Sequence, residues 1–301
     1  MMVIKRLIKQ NSFLMSAYDK LLPYYCLFFT KSAVKMLYRQ TFQKELDLEN
    51  PKDFNEKINW LKVYKYKHDP LVAKCADKYR VRTYVEENGC SEILNELYGV
   101  YYKAEDIDFS ALPNQFVLKL NRGAGKNIIC ADKNKIDIDK TRETVRSWYH
   151  AECGERYAEL HYRKSKPCVI CEKYLGDANG NYPIDYKVYT FSGKAHLVEI
   201  CIGRREKVHF VYVDTDYKRI NYGKEIIDDK FLPPKPICFD KMIQYAEILS
   251  KPFCHVRIDF YVIDDRVILG EMTFTNSGGY DTYINQDGLN IMGNLLILPG
   301  K

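Results

Sequence analysis

The sequence predicts an α+β protein in which helices occupy about the first 90 residues and antiparallel strands dominate after residue 167. Apolar residues in the first part recur every three or four positions, as they do along one face of a helix. Later segments are short, rich in β-branched and aromatic residues, and joined by short turns. That pattern favours antiparallel hairpins over a repeating βαβ order.

Helix signals divide the N-terminal part of the chain. The expected helices are residues 2–18, 21–40, 52–66 and 70–87. Asp69 and Pro70 supply an N-cap and a proline at the first helical position of the last of these. Asn88 and Gly89 follow it as a C-cap.

Strand signals dominate the rest of the chain. The expected strands are residues 116–120, 128–130, 168–175, 185–191, 195–202, 207–213, 255–263 and 266–274. Two helices, over 140–162 and 240–251, interrupt them. Short turns such as Ser192-Gly193 and Asp264-Asp265 join several neighbouring strands.

The net charge of +6 is confined to the N-terminal segment. Residues 1–45 carry eight basic and two acidic side chains, and the other 256 residues carry 38 of each sign. A nucleic-acid-binding protein usually carries its basic patch on the folded body, so we expect no nucleic-acid partner. Hydrophobic and charged residues make up 46% and 29% of the chain, which excludes a disordered protein.

The basic segment leaves two interpretations open. Its helices either pack on the body with solvated lysines, or rest peripherally on an anionic membrane. No stretch reaches the roughly 18 apolar residues that cross a bilayer, and no secretory signal is expected. We therefore expect a cytoplasmic protein, which lies at the inner face of the cell membrane if the second interpretation holds.

Ten cysteines at irregular spacing, without a secretory signal, indicate reduced thiols. Only Cys168 and Cys171 form a Cys-x-x-Cys pair, and no second pair follows at zinc-finger spacing. Along a strand their thiols would point to opposite faces, so we expect no metal or redox site there.

A glycine-bearing loop separates two of the predicted strands. Lys119 and Lys126 flank Gly123 and Gly125 in a pattern that fits neither a Walker A loop nor a dinucleotide fingerprint. Glycines let backbone N–H groups approach a phosphate, and lysines supply countercharge. The loop is either a phosphate-binding turn or an ordinary basic hairpin turn.

Charged side chains are concentrated on the last predicted hairpin. Residues two apart share a strand face, so Arg257 points with Asp259, and Glu271 points with Thr273. If the loop has an odd number of residues centred on Asp265, Asp259 lies opposite Glu271; a two-residue loop would separate them. Facing carboxylates repel unless a cation lies between them. Either Mg²⁺, which prefers hard oxygen ligands, or pairing with Arg257 would neutralise them.

A rival pattern is Asp214-Thr-Asp216 at the end of an apolar strand, which resembles the metal motif of nucleotide-sugar glycosyltransferases. The pattern is short and common at strand ends, and the chain lacks the alternating βα order that such folds need. A metal-dependent glycosyltransferase stays as an alternative. A kinase-like use of the hairpin site and a non-catalytic scaffold are two others.

The order of these pieces resembles the ATP-grasp superfamily: a lysine-bearing strand with a glycine loop, a strand containing Glu172, and Arg257, Asp259 and Glu271 on paired strands. More narrowly, the chain is similar to the TupA-like ATP-grasp group, named for teichuronopeptide synthesis. The resemblance covers about residues 45–300. It depends on four stretches in combination, residues 50–60, 77–85, 185–194 and 270–274.

The resemblance implies an ATP-grasp fold with two α+β lobes that grip ATP between them. The implied parts are a basic helical N-terminal extension over 1–48, a helical pre-grasp segment over 49–98, a small lobe with the glycine flap over 99–175, and a C-terminal lobe with the metal site over 176–301.

The resemblance also implies roles for individual residues. The expected nucleotide-binding residues are Lys119, Gly123, Ala124, Gly125, Lys126, Glu172, Lys173, Tyr174, Leu175, Asp177 and Lys187. Lys119 would contact the ATP phosphates under a flap of residues 123–125, and Glu172 would belong to the adenine hinge with 173–175. Asp177 would meet the ribose. Arg257 and Lys119 are the expected catalytic residues, with Arg257 at the transferring phosphoryl group.

The implied magnesium ligands are Asp259 and Glu271. Many relatives in the superfamily place an asparagine two residues after the glutamate, where this chain has Thr273. The nearest downstream amide is Asn276. Thr273 and Asn276 are therefore both candidates for the remaining ligand, and the number of metal ions stays open.

The activity implied is an ATP-dependent carboxylate–amine ligase that uses ATP and Mg²⁺. A carboxylate attacks the γ-phosphate to form an acyl phosphate, and an amine then displaces phosphate to leave an amide. The family name points to an amino acid and an acidic sugar, as small molecules or as polysaccharide, during biosynthesis of a cell-surface polysaccharide such as a capsule.

Overall fold

The computed structural model describes residues 12–177, 182–203 and 207–300 of the 301-residue chain. The α+β architecture is confirmed, with helices before residue 90 and antiparallel sheets after it. The helices are α1 (Ser12–Phe28), α2 (Thr30–Phe42), α3 (Phe54–Leu61), α4 (Pro70–Cys75), α5 (Val81–Glu87), α6 (Ile138–Trp148), α7 (Phe239–Ser250) and α8 (Gln286–Leu295).

The strands of the described chain form two antiparallel sheets. They are β1 (Leu97–Tyr101), β2 (Phe116–Leu120), β3 (Asn127–Cys130), β4 (Val169–Lys173), β5 (Asp185–Phe191), β6 (Lys194–Ile202), β7 (His209–Val213), β8 (Arg219–Ile220), β9 (His255–Ile263) and β10 (Arg266–Thr273). The small sheet has the order β1-β4-β2-β3 and the large sheet the order β10-β9-β5-β6-β7-β8. Each predicted strand is present with small shifts at its ends, whereas β1, β8 and α8 carry no prediction from the sequence.

Helices α1 and α2 pack on the body. Leu22 and Cys26 of α1 and Val34 of α2 are buried in the same core as the large sheet. The helix break predicted between residues 18 and 21 is wrong, because the chain leaves helical geometry at Phe29, with φ −123°. The predicted helix over 2–18 falls for most of its length outside the described residues. No described helix is long and apolar enough to cross a membrane.

Helix α3 ties the start of the chain to its end. Asn55 exchanges two hydrogen bonds with the backbone of Asp281, at 3.0 and 2.9 Å. Asn59 donates to the carbonyl oxygen of Gly279 at 2.7 Å. The helix predicted over 52–66 continues beyond α3 only as a π-helical turn, Lys62–Tyr66. These contacts fix the segment after β10, which forms part of the site.

The helix predicted over 70–87 is split into α4 and α5. Asp69 caps α4 as expected, by accepting the N–H groups of two residues in its first turn. The break follows from Asp77, whose carboxylate accepts the backbone N–H groups of Tyr79 and Arg80 at 2.9 and 3.1 Å. That local turn competes with continuation of the helix. It places Lys78 where its side chain lines a cavity between the sheets.

The helix predicted over 140–162 ends at Trp148 in α6. Gly154 adopts a left-handed φ of +86° that an α-helix does not allow. The chain continues through 3₁₀ turns at Glu155–Tyr157 and Leu160–Lys164. This irregular segment, residues 152–162, lies beside the last hairpin and lines a cavity of the site.

The two sheets have separate hydrophobic cores. Phe116 of the small sheet packs with Val145 of α6, whereas Val188 and Ile258 of the large sheet pack with Leu249 of α7. Only one face of the large sheet is thus covered by α7. The other face carries polar side chains toward the small sheet, and the space between the sheets is the candidate site.

The described cysteines are all free, and nine of the ten are buried. Burial raises the pKa of both Cys168 and Cys171 to about 12. Thiols that stay protonated at neutral pH are weak nucleophiles, and their burial is that of small apolar side chains.

The buried His161 gives the fold a pH dependence. Neither ring nitrogen has a hydrogen-bond partner among the described residues, and burial, aided by the charge of Lys62, lowers the pKa from 6.5 to about 3. At a pH between these two pKa values, the imidazole of the unfolded chain binds a proton and that of the folded chain does not. Stability is therefore lost as the pH falls below 6.5. We predict that His161→Phe loses less stability than the wild type between pH 7 and pH 5, measured by urea unfolding.

The matched control is the exposed His68→Phe, which should keep the wild-type loss. Equal losses in the wild type and His161→Phe would contradict this account of the buried imidazole.

Candidate active site

The hairpin of β9 and β10 turns through two residues. Asp264 and Asp265 both have positive φ, 47° and 56°, as a tight hairpin turn requires. Of the two loop lengths that the sequence left open, the two-residue loop is the one present, but the expectation that it would separate Asp259 from Glu271 is wrong. A β-bulge between Leu269 and Glu271 leaves Gly270 without a cross-strand partner and shifts the register by one residue.

The bulge produces the same pairing of strands that a loop with an odd number of residues would have given. Asp259 lies opposite Glu271, and Arg257 opposite Thr273. A Cβ atom at position 270 would lie 3.1 Å from the carbonyl oxygen of Asp259, so the bulge needs glycine for this close approach. A glycine inside a strand pattern is the sequence signal that indicates such a bulge.

The four side chains form one hydrogen-bonded group. Arg257 binds both oxygens of Asp259, at 2.6 and 2.7 Å, and donates to Thr273 Oγ1 at 3.3 Å. Thr273 in turn donates to Glu271 Oε1 at 3.0 Å. The pairing of Arg257 with an acid, one of the two arrangements that the sequence allowed, is the one present in the structure.

Lys187 on β5 adds a second cation to this face of the sheet. Its ammonium group lies 3.1 Å from Asp259 Oδ2 and 3.0 Å from Asp185 Oδ2. Burial would lower the pKa of Lys187, but the negative charges of Asp259, Asp185 and Glu199 together outweigh burial and raise it. The lysine therefore stays charged beside the carboxylates.

Lys78 adds a third cation, to which the sequence analysis assigned no role. Its Nζ lies 3.2 Å from Glu271 Oε2 and donates to the carbonyl oxygen of Gly123 at 2.8 Å. Asn121, at the end of β2, fixes its position: the Lys78 N–H donates to Asn121 O at 2.7 Å, and the Asn121 amide donates to Asp77 at 2.7 Å. The sequence feature that could have indicated Lys78 is the Asp77-Lys78 pair, which belongs to one of the four stretches that carry the resemblance.

The three cations control the protonation of Glu271. Burial would raise the pKa of this carboxyl, but the charges of Lys78, then of Arg257 and Lys187, outweigh burial and lower it to about 2. Glu271 is therefore an anion throughout the neutral range. Side-chain cations, and not separation, are what allow two carboxylates to face each other here.

Lys119 faces the hairpin from β2 of the small sheet. Its Nζ lies 2.8 Å from Glu172 Oε2, and Arg82 approaches the other oxygen of Glu172 at 3.5 Å. Glu172 is buried and directs its carboxylate at these two cations. The geometry makes Glu172 the group that orients Lys119, a different contact from the adenine-hinge role that the resemblance implied.

A cavity of about 500 Å³ lies between the two sheets. Lys119, Lys173, Tyr174, Leu175 and Lys187, all candidate nucleotide-binding residues, are among those lining it. The other lining side chains are largely apolar and come from both sheets, including Val117, Ile129, Phe210 and Tyr261. A cavity with apolar walls and lysines at one end suits a flat aromatic base attached to phosphates.

The segment after β4 forms the hinge end of this cavity. The backbone N–H of Lys173 already donates to Glu96, and its carbonyl accepts from Asn95. Backbone contact with a base would therefore fall to Tyr174 and Leu175. Asp177 is exposed at the end of the segment.

The glycine loop closes the space between Lys119 and the hairpin acids. A smaller cavity of about 170 Å³ is bounded by loop residues 123–126 on one side and by Asp259 and Glu271 on the other. Gly123 and Gly125 have φ of +70° and +77°, which their lack of a Cβ permits. Lys126 also lines this cavity and donates to Glu152 O at 2.9 Å.

The candidate magnesium ligands are not all brought together. Asp259, Glu271 and Thr273 share one face, but the Oδ1 atom of Asn276 is 2.9 Å from Nε2 of the buried His255. No group of three or more His, Cys, Asp or Glu side chains in the described ranges is arranged to hold a metal. Two carboxylates fit Mg²⁺ when substrate phosphates supply further oxygens, which is its usual mode of binding beside nucleotides.

Another cavity, of about 480 Å³, adjoins the hairpin cluster, and we call it the second cavity. Arg257, Glu271 and Thr273 line one side of it, and the segment 152–162 lines the other. The half-buried Glu159 in that segment accepts a hydrogen bond from Thr275. Burial raises the pKa of Glu159 to about 7, opposed by Thr275 and the buried Lys62.

The pattern Asp214-Thr-Asp216 is explained by a turn. Asp214 Oδ1 accepts the backbone N–H groups of Asp216 and Lys218, at 2.9 and 2.8 Å, between β7 and β8. These strands lie at the opposite edge of the large sheet from β10. The two aspartates are remote from the hairpin acids and do not contribute to that cluster.

Comparison with known proteins identifies a family. The family model described as TupA-like ATPgrasp matches residues 56–297, which is most of the chain. No curated protein matches the sequence.

Similar solved structures include several ligases. D-alanine–D-alanine ligase from Bacillus anthracis, complexed with ATP, is 18% identical over 67% of this chain and 55% of its own, with a TM-score of 0.43. L-amino acid ligase from Bacillus licheniformis is 12% identical over 90% and 63%, with a TM-score of 0.47. D-cycloserine synthetase is 15% identical over 75% and 71%, with a TM-score of 0.42. The chain thus spans little more than half the length of the first of these.

The contact between Lys78 and Glu271 gives a direct test of the site electrostatics. We predict that Lys78→Met raises the pKa of Glu271 from about 2 toward the ordinary value of 4.5, because the largest lowering charge is removed. Carbon-13 NMR of labelled glutamate carboxyls, in metal-free buffer, measures the titration. Lys74→Met, which breaks only the surface pair with Glu87, is the control. An unchanged titration of Glu271 in Lys78→Met would refute the arrangement.

Proposed function

The chain belongs to the TupA-like ATP-grasp family, and on that premise we propose that it is an ATP-dependent ligase that joins a carboxylate to an amine and releases ADP and phosphate. The observation that carries the proposal is the position of the hairpin cluster. Asp259 and Glu271 line the small cavity under the glycine loop, which adjoins the nucleotide-sized cavity at Lys119 and Lys187. Arg257, Glu271 and Thr273 line the second cavity. A phosphoryl group can pass across such a cluster from one bound molecule to another.

The nucleotide would occupy the cavity between the sheets. The apolar walls suit adenine, and the hinge backbone at Tyr174 and Leu175 would meet its edge. Lys119, oriented by Glu172, and Lys187 would contact the phosphates as point charges. Lys78 joins them, because it binds both Glu271 and the glycine loop and so faces the phosphates as the loop closes over them.

The acceptor carboxylate would enter the second cavity. One of its oxygens attacks the γ-phosphorus of ATP, the bond to ADP breaks, and an acyl phosphate forms. Arg257 is fixed by two hydrogen bonds to Asp259, so its guanidinium is already oriented toward the charge that develops on the phosphoryl oxygens. An amine then attacks the acyl carbon, phosphate leaves, and the amide is complete.

The attacking amine must lose a proton. Glu159 lines the second cavity, and a carboxyl with a pKa of about 7 suits proton transfer near neutral pH. We propose Glu159 as the acceptor of that proton.

Asp259, Glu271 and Thr273 would hold Mg²⁺ together with the nucleotide phosphates. When bound, the ion would neutralise phosphate charge and polarise the transferring group. The lysines that now contact the two carboxylates would then be released to the phosphates. Asn276 stays with His255 in this proposal and does not serve as a ligand.

The proposed substrates are an amino acid and an acidic sugar in the biosynthesis of a cell-surface polysaccharide such as a capsule. The family name supports this class, and the second cavity has both signs of charge to match it, with Arg257 and Arg156 facing Glu159 and Glu271. We propose that the enzyme works in the cytoplasm at the inner face of the cell membrane, with peripheral contact through residues 1–45.

A nucleotide-release assay tests the proposed reaction. The purified protein is incubated with MgATP, glucuronic acid or a uronic-acid oligomer, and each of the common amino acids. We expect ADP release that requires both partners, with an amide product seen by mass spectrometry. Release of ADP with the sugar alone and a phosphorylated sugar would indicate a kinase. Release of UDP from a nucleotide sugar would indicate the glycosyltransferase.

The hairpin acids can be tested by matched variants. We predict that Asp259→Asn and Glu271→Gln each reduce turnover on the order of 100-fold or more, because losing a metal ligand removes several kcal/mol of charge stabilisation. Circular dichroism should show both variants folded. The control Asp214→Asn should retain near-normal turnover. Loss of turnover in Asp214→Asn but not in Asp259→Asn would favour the glycosyltransferase instead.

A further inference from the structure

Helix α1 has an apolar stripe that stays exposed in the described part of the structure. Leu14, Leu21, Tyr25 and Phe28 are spaced by seven, four and three residues, so they lie on one side of the helix. The exposed fractions of Leu21 and Phe28 are 64% and 72%, and the adjoining Phe29 is 61% exposed. With Tyr24, these residues are six of the nineteen exposed large hydrophobic side chains in the described part of the chain.

This stripe is distinct from the face by which α1 packs on the body. Leu22 and Cys26 lie on the packed face and are 5% and 0% exposed. Phe29 stacks its ring 5.6 Å from that of Tyr25, which joins the exposed residues into one surface. A monomeric protein rarely leaves a contiguous apolar surface of this kind uncovered without a binding role.

The segment that carries the stripe is basic. The described residues 12–45 carry five basic groups against the two acids Asp19 and Glu45, and the full segment 1–45 carries the entire net charge of +6. Asp19 is itself paired with Arg156 at 2.8 Å, and Glu45 with Arg39 at 3.0 Å. Lys20, which precedes Leu21 in α1, and Lys35 on α2 are exposed, so the two helices combine apolar area with positive charge.

We propose that the stripe of α1, Leu14, Leu21, Tyr24, Tyr25, Phe28 and Phe29, docks on an anionic lipid bilayer. Apolar side chains enter the interface while lysines and arginines stay at the headgroups, and each basic residue near an anionic surface contributes roughly 1 kcal/mol. A second copy of the chain is the disfavoured occupant. Pairing the stripe with itself would bring two positively charged segments together.

Docking would also place the second cavity beside the bilayer. Arg156 donates to the Asp19 carboxylate at 2.8 Å and to the Asp19 carbonyl at 3.2 Å. Arg156 and Tyr157 line that cavity, so α1 supports its wall directly. If the proposed ligase function holds, the acceptor it serves is one carried at the membrane surface. The docking itself does not depend on the ligase chemistry, so each can fail alone.

Co-sedimentation with vesicles tests the docking surface. Full-length protein is mixed with vesicles of phosphatidylcholine containing 30% phosphatidylglycerol, and with phosphatidylcholine alone. We expect binding to the anionic vesicles that falls with added salt, and about tenfold weaker binding of the double variant Leu21→Ser/Phe28→Ser. The double variant Lys20→Glu/Lys35→Glu should bind more weakly than the wild type to the vesicles that contain phosphatidylglycerol, and no differently to vesicles of phosphatidylcholine alone.

The control is Ile226→Ser/Ile237→Ser, which removes two side chains that are 97% and 90% exposed elsewhere on the surface. It should bind like the wild type. A Phe28→Trp variant, which keeps the apolar surface, should show a blue shift of its emission on adding anionic vesicles. Absent binding, equal binding by all variants, or no shift at position 28 would overturn the proposal. If the wild type forms a dimer and does not bind vesicles, and if Leu21→Ser/Phe28→Ser is monomeric, the stripe binds a second copy of the chain and the proposal is wrong.

Discussion

Two carboxylates that face each other across a hairpin set the main constraint on this structure. Asp259 is buried and Glu271 is about one third exposed. The two are cross-strand neighbours, and such a pair is unstable unless positive charge lies beside it. The charge comes from three separate elements: Arg257 on the same hairpin, Lys187 on β5 and Lys78 in the turn before α5. Satisfying the acids therefore fixes the helical segment, the glycine loop and the large sheet relative to one another.

The same constraint explains how the site can accept a charged nucleotide. The cations are held by carboxylates that Mg²⁺ also prefers, so a metal bound with phosphates would exchange partners without leaving charge unpaired. Glu172 plays the corresponding part in the small sheet, where it holds Lys119 and Arg82. The cleft lies between two independent hydrophobic cores, so polar groups can line it without weakening either core.

Most strands, several turn positions and the residues that share a face of the hairpin could be predicted from alternation and residue type, because these depend on neighbours in sequence. The pairing of Asp259 with Glu271 depends on the bulge at Gly270, which a count of loop residues does not include. The role of Lys78 could not be predicted, because the residues that it contacts, Gly123 and Glu271, are 45 and 193 positions away in the sequence. The helix prediction failed at 149–162 for a related reason: a single glycine and a long-range bond from Thr275 to Glu159 override local propensity there.

The central claim is that the hairpin acids, with the cations around them, form the place where a metal and nucleotide phosphates meet. Anomalous diffraction from crystals grown with Mn²⁺ and a non-hydrolysable ATP analogue measures this directly. The account predicts a manganese peak at coordination distance, about 2 Å, from both Asp259 and Glu271, with the triphosphate reaching toward it from the cavity between the sheets. A peak at Asp214 and Asp216, or a triphosphate bound away from the hairpin, would contradict it.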